Sequence, residues 1–286
     1  MDEGLSARLL IVVREHLRAI GYAVFGVAVF ITSLAVTFPY AATLSALLKP
    51  LNLSLSSSGQ GISLPLGASL SDVRLVSLQP AAPFEVESPD VTLAPALGAL
   101  LLGEPGVRVH AQLYGGALRA TVCRRSGGVG VNFSLDDVGL ARMAALRAMG
   151  ADVLGRLSGW GRAQLTANDP MAASGEIDFR TADLTIRVAQ GVEPIRLGNV
   201  EGTLTLDRGA LQITKLDGHG PDGAIEGHGT LTLGPDAQQS SVDLRLVIEP
   251  SAEGRRRLGV LFGLLPHPPG AQPYVLTGPM LSPSIS

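Results

Sequence analysis

The clearest pattern in the chain lies between Gly198 and Gly234, where apolar and polar residues alternate. Two turn-forming sequences, Asp207-Arg208-Gly209 and Pro221-Asp222-Gly223, divide this stretch into three runs. The alternating apolar positions are Leu204, Leu206, Leu211, Ile213, Ile225, Leu231 and Leu233. Because successive side chains of a strand point to opposite faces, the pattern predicts an antiparallel β-meander with one apolar face.

The same alternation predicts short strands through most of the remaining chain. Those before residue 135 are Leu51–Leu55, Ile62–Leu66, Ser69–Leu78, Phe84–Leu93, Val107–Leu113, Ala117–Val122 and Val129–Phe133. Those after residue 150 are Val153–Ala167, Gly175–Phe179, Leu184–Val188, the meander, Ser241–Glu249 and Pro273–Thr277. Gly and Pro between the runs are typical of antiparallel hairpins, so the fold class is mainly β.

Two short amphipathic helices are predicted among the strands. The first is Asp136–Met149, because Ser134 and Asp137 have the spacing of a capping box. The second is Ala252–Leu265, which carries the basic run Arg255–Arg257 on its polar side. The first helix would separate two halves of the sheet, residues 51–135 and 151–286.

The amino-terminal region predicts a membrane anchor. Residues 19–38 carry no charge, and a helix of this length spans the ~30 Å hydrocarbon core of a bilayer. Arg8, Arg14 and Arg18 precede it, whereas Lys49 is the first basic residue after it. The excess of arginine places residues 1–18 in the cytoplasm and residues 39–286 on the other side of the membrane.

Two alternatives to an anchor remain. A cleaved signal peptide would have an apolar region of about 7–15 residues and small residues at its cleavage site, and neither the run 19–38 nor Val36–Pro39 fits that description. A buried core helix is the other alternative, which an uncharged run of this length disfavours.

Composition and charge exclude several classes of function. The net charge is −3, and no extended basic surface is indicated that would neutralise the phosphates of a nucleic acid, so nucleic acid is not an expected partner. The single cysteine, Cys123, excludes an intramolecular disulfide and a cysteine-based metal cluster.

The candidate chemical motifs do not form a catalytic site. Gly218–Gly223 matches the G-x-G-x-x-G pattern but lies within a predicted hairpin, where no helix follows to bind a phosphate. His219 and His228 resemble a ligand pair, yet the predicted turn separates them by about 13 Å at ~3.3 Å per residue. Two exposed histidines are therefore predicted. Asp217, Asp222 and Glu226 fit the usual abundance of carboxylates near turns. No catalytic, cofactor-binding or metal-binding residue is assigned, and no enzymatic activity is expected.

Two further features have a structural and a functional interpretation. Arg255–Arg257 could bind anionic lipid or an acidic partner, although a solvated helix face is the favoured interpretation. Trp160, between two glycines, is predicted to be a buried anchor.

Several stretches resemble the protein N (GspN) family of the type II secretion system. They are the anchor ending in Phe38-Pro39-Tyr40, Leu93-Ala94-Pro95 to Leu102-Gly103, Gly115-Gly116-Ala117-Leu118, Glu226 to Leu233, Ile248-Glu249-Pro250-Ser251, and Leu276 to Pro283. The family is similar in turn to the AsmA-like envelope proteins, in which long curved sheets form an apolar groove. The resemblance thus implies an elongated, curved antiparallel sheet, an AsmA-like groove or half-barrel.

Two functions follow from this resemblance. In the first, the chain is a single-pass component of the bacterial inner membrane whose periplasmic domain, residues 39–286, has a structural or assembly role in type II secretion. Its partners would be other inner-membrane or periplasmic components of that system. In the second, an AsmA-like groove binds or guides phospholipid acyl chains in the envelope. The resemblance implies no catalytic residue and no cofactor.

Overall fold

A computed structural model describes the chain from residue 53 onward, with gaps, as one large antiparallel sheet of 15 strands and two short helices. The described residues are 53–63, 67–77, 85–96, 98, 103–125, 128–143, 146, 152–166, 169–187, 193–232, 239–263, 265–270, 272–279 and 284–286. The mainly β class and the antiparallel sheet are therefore confirmed.

The strands of the first half are β1 (Leu53–Ser56), β2 (Gly59–Ser63), β3 (Gly67–Ser77), β4 (Glu85–Pro95), β5 (Gly106–Leu113), β6 (Gly116–Arg125) and β7 (Gly128–Gly139). Those of the second half are β8 (Asp152–Thr166), β9 (Asp169–Arg187), β10 (Ile195–Asp207), β11 (Ala210–Gly220), β12 (Gly223–Thr232), β13 (Ser241–Pro250), β14 (Tyr274–Pro279) and β15 (Ser284–Ile285). The helices α1 (Ala252–Arg257) and α2 (Gly259–Phe262) lie between β13 and β14.

Sequence order sets the order of the strands in space. From β3 to β15 each strand pairs with the next one along the chain, and both β1 and β2 pair with β3. The pairing of β7 with β8 carries the sheet across the boundary between the two predicted halves. Such a meander needs only short connections, which the Gly- and Pro-rich turns provide.

The predicted meander is confirmed as β10, β11 and β12, with turns at the two expected sequences. Two predicted strands, Gly175–Phe179 and Leu184–Val188, are joined in the single long strand β9 as far as its end at Arg187. The second predicted helix is confirmed near Ala252, where it is divided into α1 and α2 at Leu258.

The predicted start of the first helix is wrong. Asp136–Gly139 continue strand β7, and a 3-10 turn, Leu140–Arg142, follows. Pairing with β8 outweighs the local capping signal, since Ser134 lies opposite Trp160 and Val138 lies opposite Leu157. Asp137 is the extra residue of a β-bulge, with φ of 57°.

Bulges lie at corresponding places on four neighbouring strands. Positive φ angles occur at Asp137 on β7, Gly155 on β8, Asp183 on β9 and Gly198 on β10, each beside a shift of register. A bulge bends its strand and increases the local twist. The row of bulges therefore marks a line along which the sheet changes direction.

A cluster of buried apolar side chains lies on β3, β4 and β5. It consists of Ala68, Leu70, Val73, Val91, Leu93 and Ala111. Leu70 and Leu93 are only 0% and 1% exposed. This end of the sheet holds the main hydrophobic core of the described residues.

The predicted cytoplasmic segment and membrane anchor, residues 1–18 and 19–38, lie outside the described residues. Within the described residues, no helix combines the length and the apolar character that crossing a membrane requires.

Candidate functional site

One face of the sheet is apolar across almost its whole width. Residues directly opposite each other on paired strands point to the same side, so the register identifies rows of neighbouring side chains. The first row contains Leu70, Val91, Ala111, Leu118, Leu135, Gly159, Phe179, Gly202, Leu216, Gly227, Leu246 and Tyr274. It contains no polar side chain from β3 to β13 and ends at Tyr274 on β14.

Two parallel rows extend the same apolar surface. The second row contains Ala68, Leu93, Val109, Ala120, Phe133, Gly161, Ile177, Leu204, Ile213, Gly229, Leu244, Leu276 and Ile285. The third row runs from Pro95 on β4 to Gly278 on β14 and is likewise apolar or glycine throughout. We call these three rows the apolar face. At ~4.8 Å per strand it extends for about 50 Å along the sheet.

The opposite side, which we call the polar face, has the reverse character. One of its rows contains Ala94, Arg108, Thr121, Asn132, Arg162, Glu176, Thr205, Gln212, Thr230, Asp243, Thr277 and Ser284. Arg162 donates a hydrogen bond to Glu176 across strands at 2.7 Å. The two faces therefore differ as the alternation in sequence predicts.

The apolar face is buried at one end and only half-buried over the rest. Its side chains on β3 to β5 include the core residues Leu70 and Leu93, whereas Leu118, Leu204 and Leu231 on later strands are half-buried. In the part of the chain that the structure describes, strands contact mainly their sheet neighbours, and α1 contacts the sheet at the end of β13. Neighbouring side chains in the rows partly cover one another. No helix of the described residues packs on top of the rows.

Glycines allow large side chains to lie close to the sheet on this face. A Cβ added at Gly202 would overlap the ring of Phe179, and one added at Gly161 would meet the ring of Phe133 at 2.6 Å. Each ring fills the space above the glycine on the neighbouring strand. At these two places the aromatic rings fill the floor of the apolar face.

The segment after α2 covers the apolar face at β14. The Tyr274 side chain is 1% exposed, and its ring stacks on His267 with 4.3 Å between the ring centroids. The Tyr274 hydroxyl donates a hydrogen bond to the His267 carbonyl at 2.9 Å, and burial raises the pKa of this tyrosine. Among the described residues, the uncovered part of the apolar face therefore lies between this segment and the core at β3 to β5.

An ion cluster around the buried Asp222 fixes α1 to the turn between β11 and β12. Arg196 donates to Asp222 through its backbone amide, at 2.7 Å, and through its guanidinium, at 2.9 Å. Arg257 donates to both Asp222 oxygens, at 2.6 and 2.9 Å. Glu253 and Glu193 pair with Arg196 and Arg257, at 2.7 and 2.6 Å. We call these five residues the Asp222 clamp.

The electrostatics of the clamp keep Asp222 ionised. Burial alone would raise the pKa of its carboxyl, but the hydrogen bonds from Arg196 and Arg257 outweigh that effect and hold the pKa below its usual value. Hydrogen bonds of Ser251 also join α1 to this turn. Ser251 caps α1 by accepting a hydrogen bond from the Gly254 amide at 2.9 Å, and its own amide donates to the Asp222 carbonyl at 3.0 Å.

The clamp corrects two interpretations of the sequence. Asp222 was expected to be an ordinary turn carboxylate, but its side chain is only 2% exposed. Arg257 was expected on a solvated helix face with Arg255 and Arg256, whereas only those two are exposed. The Asp-Gly turn signal is correct, yet Arg196 and Arg257 lie 26 and 35 positions away, and nothing local in the sequence indicates the contact.

The histidine and tryptophan predictions have different outcomes. His219 and His228 are both exposed, as expected, and they lie on different strands. His219 Nε2 is 2.9 Å from Asp217 Oδ1, on a ring that is 71% exposed. The prediction for Trp160 is wrong, because this residue is 48% exposed on the polar face.

The G-x-G-x-x-G match, Gly218–Gly223, lies in the β11–β12 hairpin as predicted. Among the described residues, no group of three or more His, Cys, Asp or Glu side chains is arranged to hold a metal ion. Comparison of the chain with models of protein families, with curated proteins and with solved structures found no match.

Proposed function

We propose that this chain is an envelope protein that holds the acyl chains of phospholipids against its apolar face. The observation that carries the proposal is the extent of the half-buried apolar rows from β6 to β13. Soluble monomers rarely expose a contiguous apolar surface larger than a few hundred Å², and larger ones mark a site of interaction. The proposal assigns the chain no catalytic role.

The chemistry of the surface favours acyl chains over a polar ligand. Apart from Tyr274, whose hydroxyl is already bonded to the His267 carbonyl, the three rows offer hydrocarbon and glycine but no hydrogen-bonding side chain. An occupant therefore gains by removing apolar area from water. The filled floor over Gly161 and Gly202 suits a flexible chain lying along the surface. The aligned bulges at Asp137, Gly155 and Asp183 support a sheet curved into a groove, as the AsmA-like resemblance implies.

Lipid analysis of the full chain tests this function. The protein is extracted in mild detergent, purified, and examined by native mass spectrometry for bound phospholipid. We expect phospholipid to remain bound, and to be lost when Leu204 and Leu231 are both replaced by Asp. The matched control replaces Thr205 and Thr230 on the polar face by Asp. Absence of phospholipid from the unsubstituted protein, or equal loss in both double variants, would contradict the proposal.

A second candidate is a structural role in a type II secretion system, as an inner-membrane component with a periplasmic sheet. It is supported by the sequence resemblance, whose Glu226–Leu233 and Ile248–Ser251 stretches fall on β12 and on the junction of β13 with α1. Deletion of the gene in its host should then reduce export of secreted proteins. A reporter that is active only outside the cytoplasm should also be active when fused after Ser286, and an inactive reporter would contradict the predicted topology.

A further inference from the structure

The segment between β13 and β14 presents an unusual apolar surface. We call residues 252–270, which include α1 and α2, the tip. Val260 on α2 is 85% exposed, whereas the other large exposed hydrophobic residues of the described chain are 44–48% exposed. Leu261 and Phe262, the next two residues, are half-buried. The tip thus exposes one large apolar side chain, Val260, with two half-buried apolar residues next to it in the chain.

Two free cations lie next to this apolar surface. Arg255 and Arg256 are exposed in the last turn of α1 and make no ion pair within the described residues. The nearby carboxylates of Asp222, Glu253 and Glu193 are each bonded to Arg196 or Arg257. The clamp therefore satisfies its own acidic groups and leaves the two remaining arginines available.

The tip is held in place from both sides. At its start, the Asp222 clamp and the Ser251 cap fix α1 to the sheet. At its end, His267 stacks on the buried Tyr274. Val260 is consequently exposed on a short segment that is anchored at both ends. A preorganised surface of this kind loses little conformational freedom when it binds.

We propose that the tip docks on the surface of an anionic phospholipid bilayer. Val260 and its apolar neighbours enter the boundary between headgroups and acyl chains, and Arg255 and Arg256 bind lipid phosphates. Basic and apolar side chains side by side are the combination that interfacial segments use. An acidic protein would complement the arginines but not the exposed valine, so the bilayer is the better match. This inference concerns a surface separate from the open apolar face and does not depend on lipid binding there.

A fluorescent probe on the full chain tests the docking. Val260→Cys is made in a Cys123→Ala background, labelled with an environment-sensitive dye, and reconstituted in nanodiscs. The discs contain phosphatidylcholine alone or mixed with phosphatidylglycerol, with a lipid-borne quencher in each. We expect a blue shift and quenching in the anionic discs, and a loss of both at high salt because exposed charges are screened. A probe at Gln212→Cys on the polar face is the control and should remain unquenched.

Charge variants complete the test. Each arginine near an anionic surface strengthens binding about five-fold, so Arg255→Gln with Arg256→Gln should weaken the docking equilibrium about 25-fold and remove most of the quenching. The matched control, Arg108→Gln with Arg119→Gln, removes two exposed arginines of the polar face and should change nothing. A Val260 probe that is unquenched in anionic discs would overturn the proposal, and so would quenching that the Arg255 and Arg256 substitutions leave unchanged. Native mass spectrometry of the same variants measures the phospholipid bound to the apolar face, independently of docking by the tip.

Discussion

The ring of Phe179 on β9 occupies the space that a side chain at position 202 of β10 would fill. The two residues lie directly opposite each other in the first row of the apolar face. Because glycine leaves this space free, the aromatic ring can pack against the neighbouring strand. The pairing identifies the side of the sheet to which Phe179 points.

Gly202→Ala should destabilise the protein by about 1–3 kcal/mol, since the new methyl group forces the Phe179 ring out of its position. Thermal melts of the full chain in detergent measure the effect. Gly259→Ala on α2 is the control, because nothing lies within 4 Å of a Cβ there, and its effect should stay within about 1 kcal/mol. Combining Gly202→Ala with Phe179→Leu should recover part of the loss. No recovery would mean that the ring is not the source of the clash.

Asp222→Asn should cost about 3 kcal/mol, because it leaves the Arg196 and Arg257 guanidiniums without the buried charge that they bind. Loss of the clamp should also expose the Arg255–Arg257 bonds to trypsin, which limited proteolysis would detect. Asp243→Asn, at an exposed carboxylate of β13, should have little effect. Equal effects of the two substitutions would contradict the structural role of the clamp.

The low pKa of Asp222 predicts how stability depends on pH. The folded-state pKa lies below the unfolded value of about 3.9, so the carboxyl contributes its full stabilisation above that value. This contribution is lost as the pH falls through the folded-state pKa. Melting temperatures of the wild type and of Asp222→Asn should therefore differ most above about pH 4 and converge below it. A difference that stays constant in acid would show that protonation of Asp222 is not involved.

The two ends of the apolar face should respond differently to the same change. Leu70→Asp places a carboxyl in the fully buried core and should unfold the protein, because desolvation costs several kcal/mol. Leu231→Asp, at a half-buried position, should leave the fold intact and remove bound lipid. Thr230→Asp on the polar face should be mild in both respects. A collapse of the fold caused by Leu231→Asp would show that this part of the face is covered.

The sequence predicts the strands of the sheet and their two faces better than it predicts contacts between residues that are distant in sequence. Period-two alternation at Leu204, Leu206, Leu211 and Ile213 is a local property, and it determines which face each residue occupies. It also places Thr230 and Leu231 on opposite faces, and the register agrees. Thr230 lies opposite the polar residues Gln212 and Asp243, whereas Leu231 lies opposite the apolar residues Leu211 and Val242.

The failures involve partners that are distant in sequence. Asp137 has the spacing of a helix cap but forms a bulge and an ion pair with Arg156, because β8 supplies a pairing that local sequence does not encode. Trp160, between two glycines, is predicted to be a buried anchor, yet its position in the register puts it on the polar face. Asp222 was expected to be exposed, since most turn carboxylates are. Its burial depends on Arg196 and Arg257, which the fold brings to it.

The most direct test of lipid binding uses a photo-reactive amino acid in living cells. It is placed at Leu204 on the apolar face or at the adjacent Thr205 on the polar face, two half-buried positions that differ mainly in the face they occupy. After irradiation, the purified full chain is analysed by mass spectrometry for covalent lipid adducts. We predict phospholipid adducts at position 204 and none at position 205. No adduct at position 204, or equal yields at both positions, would contradict the account.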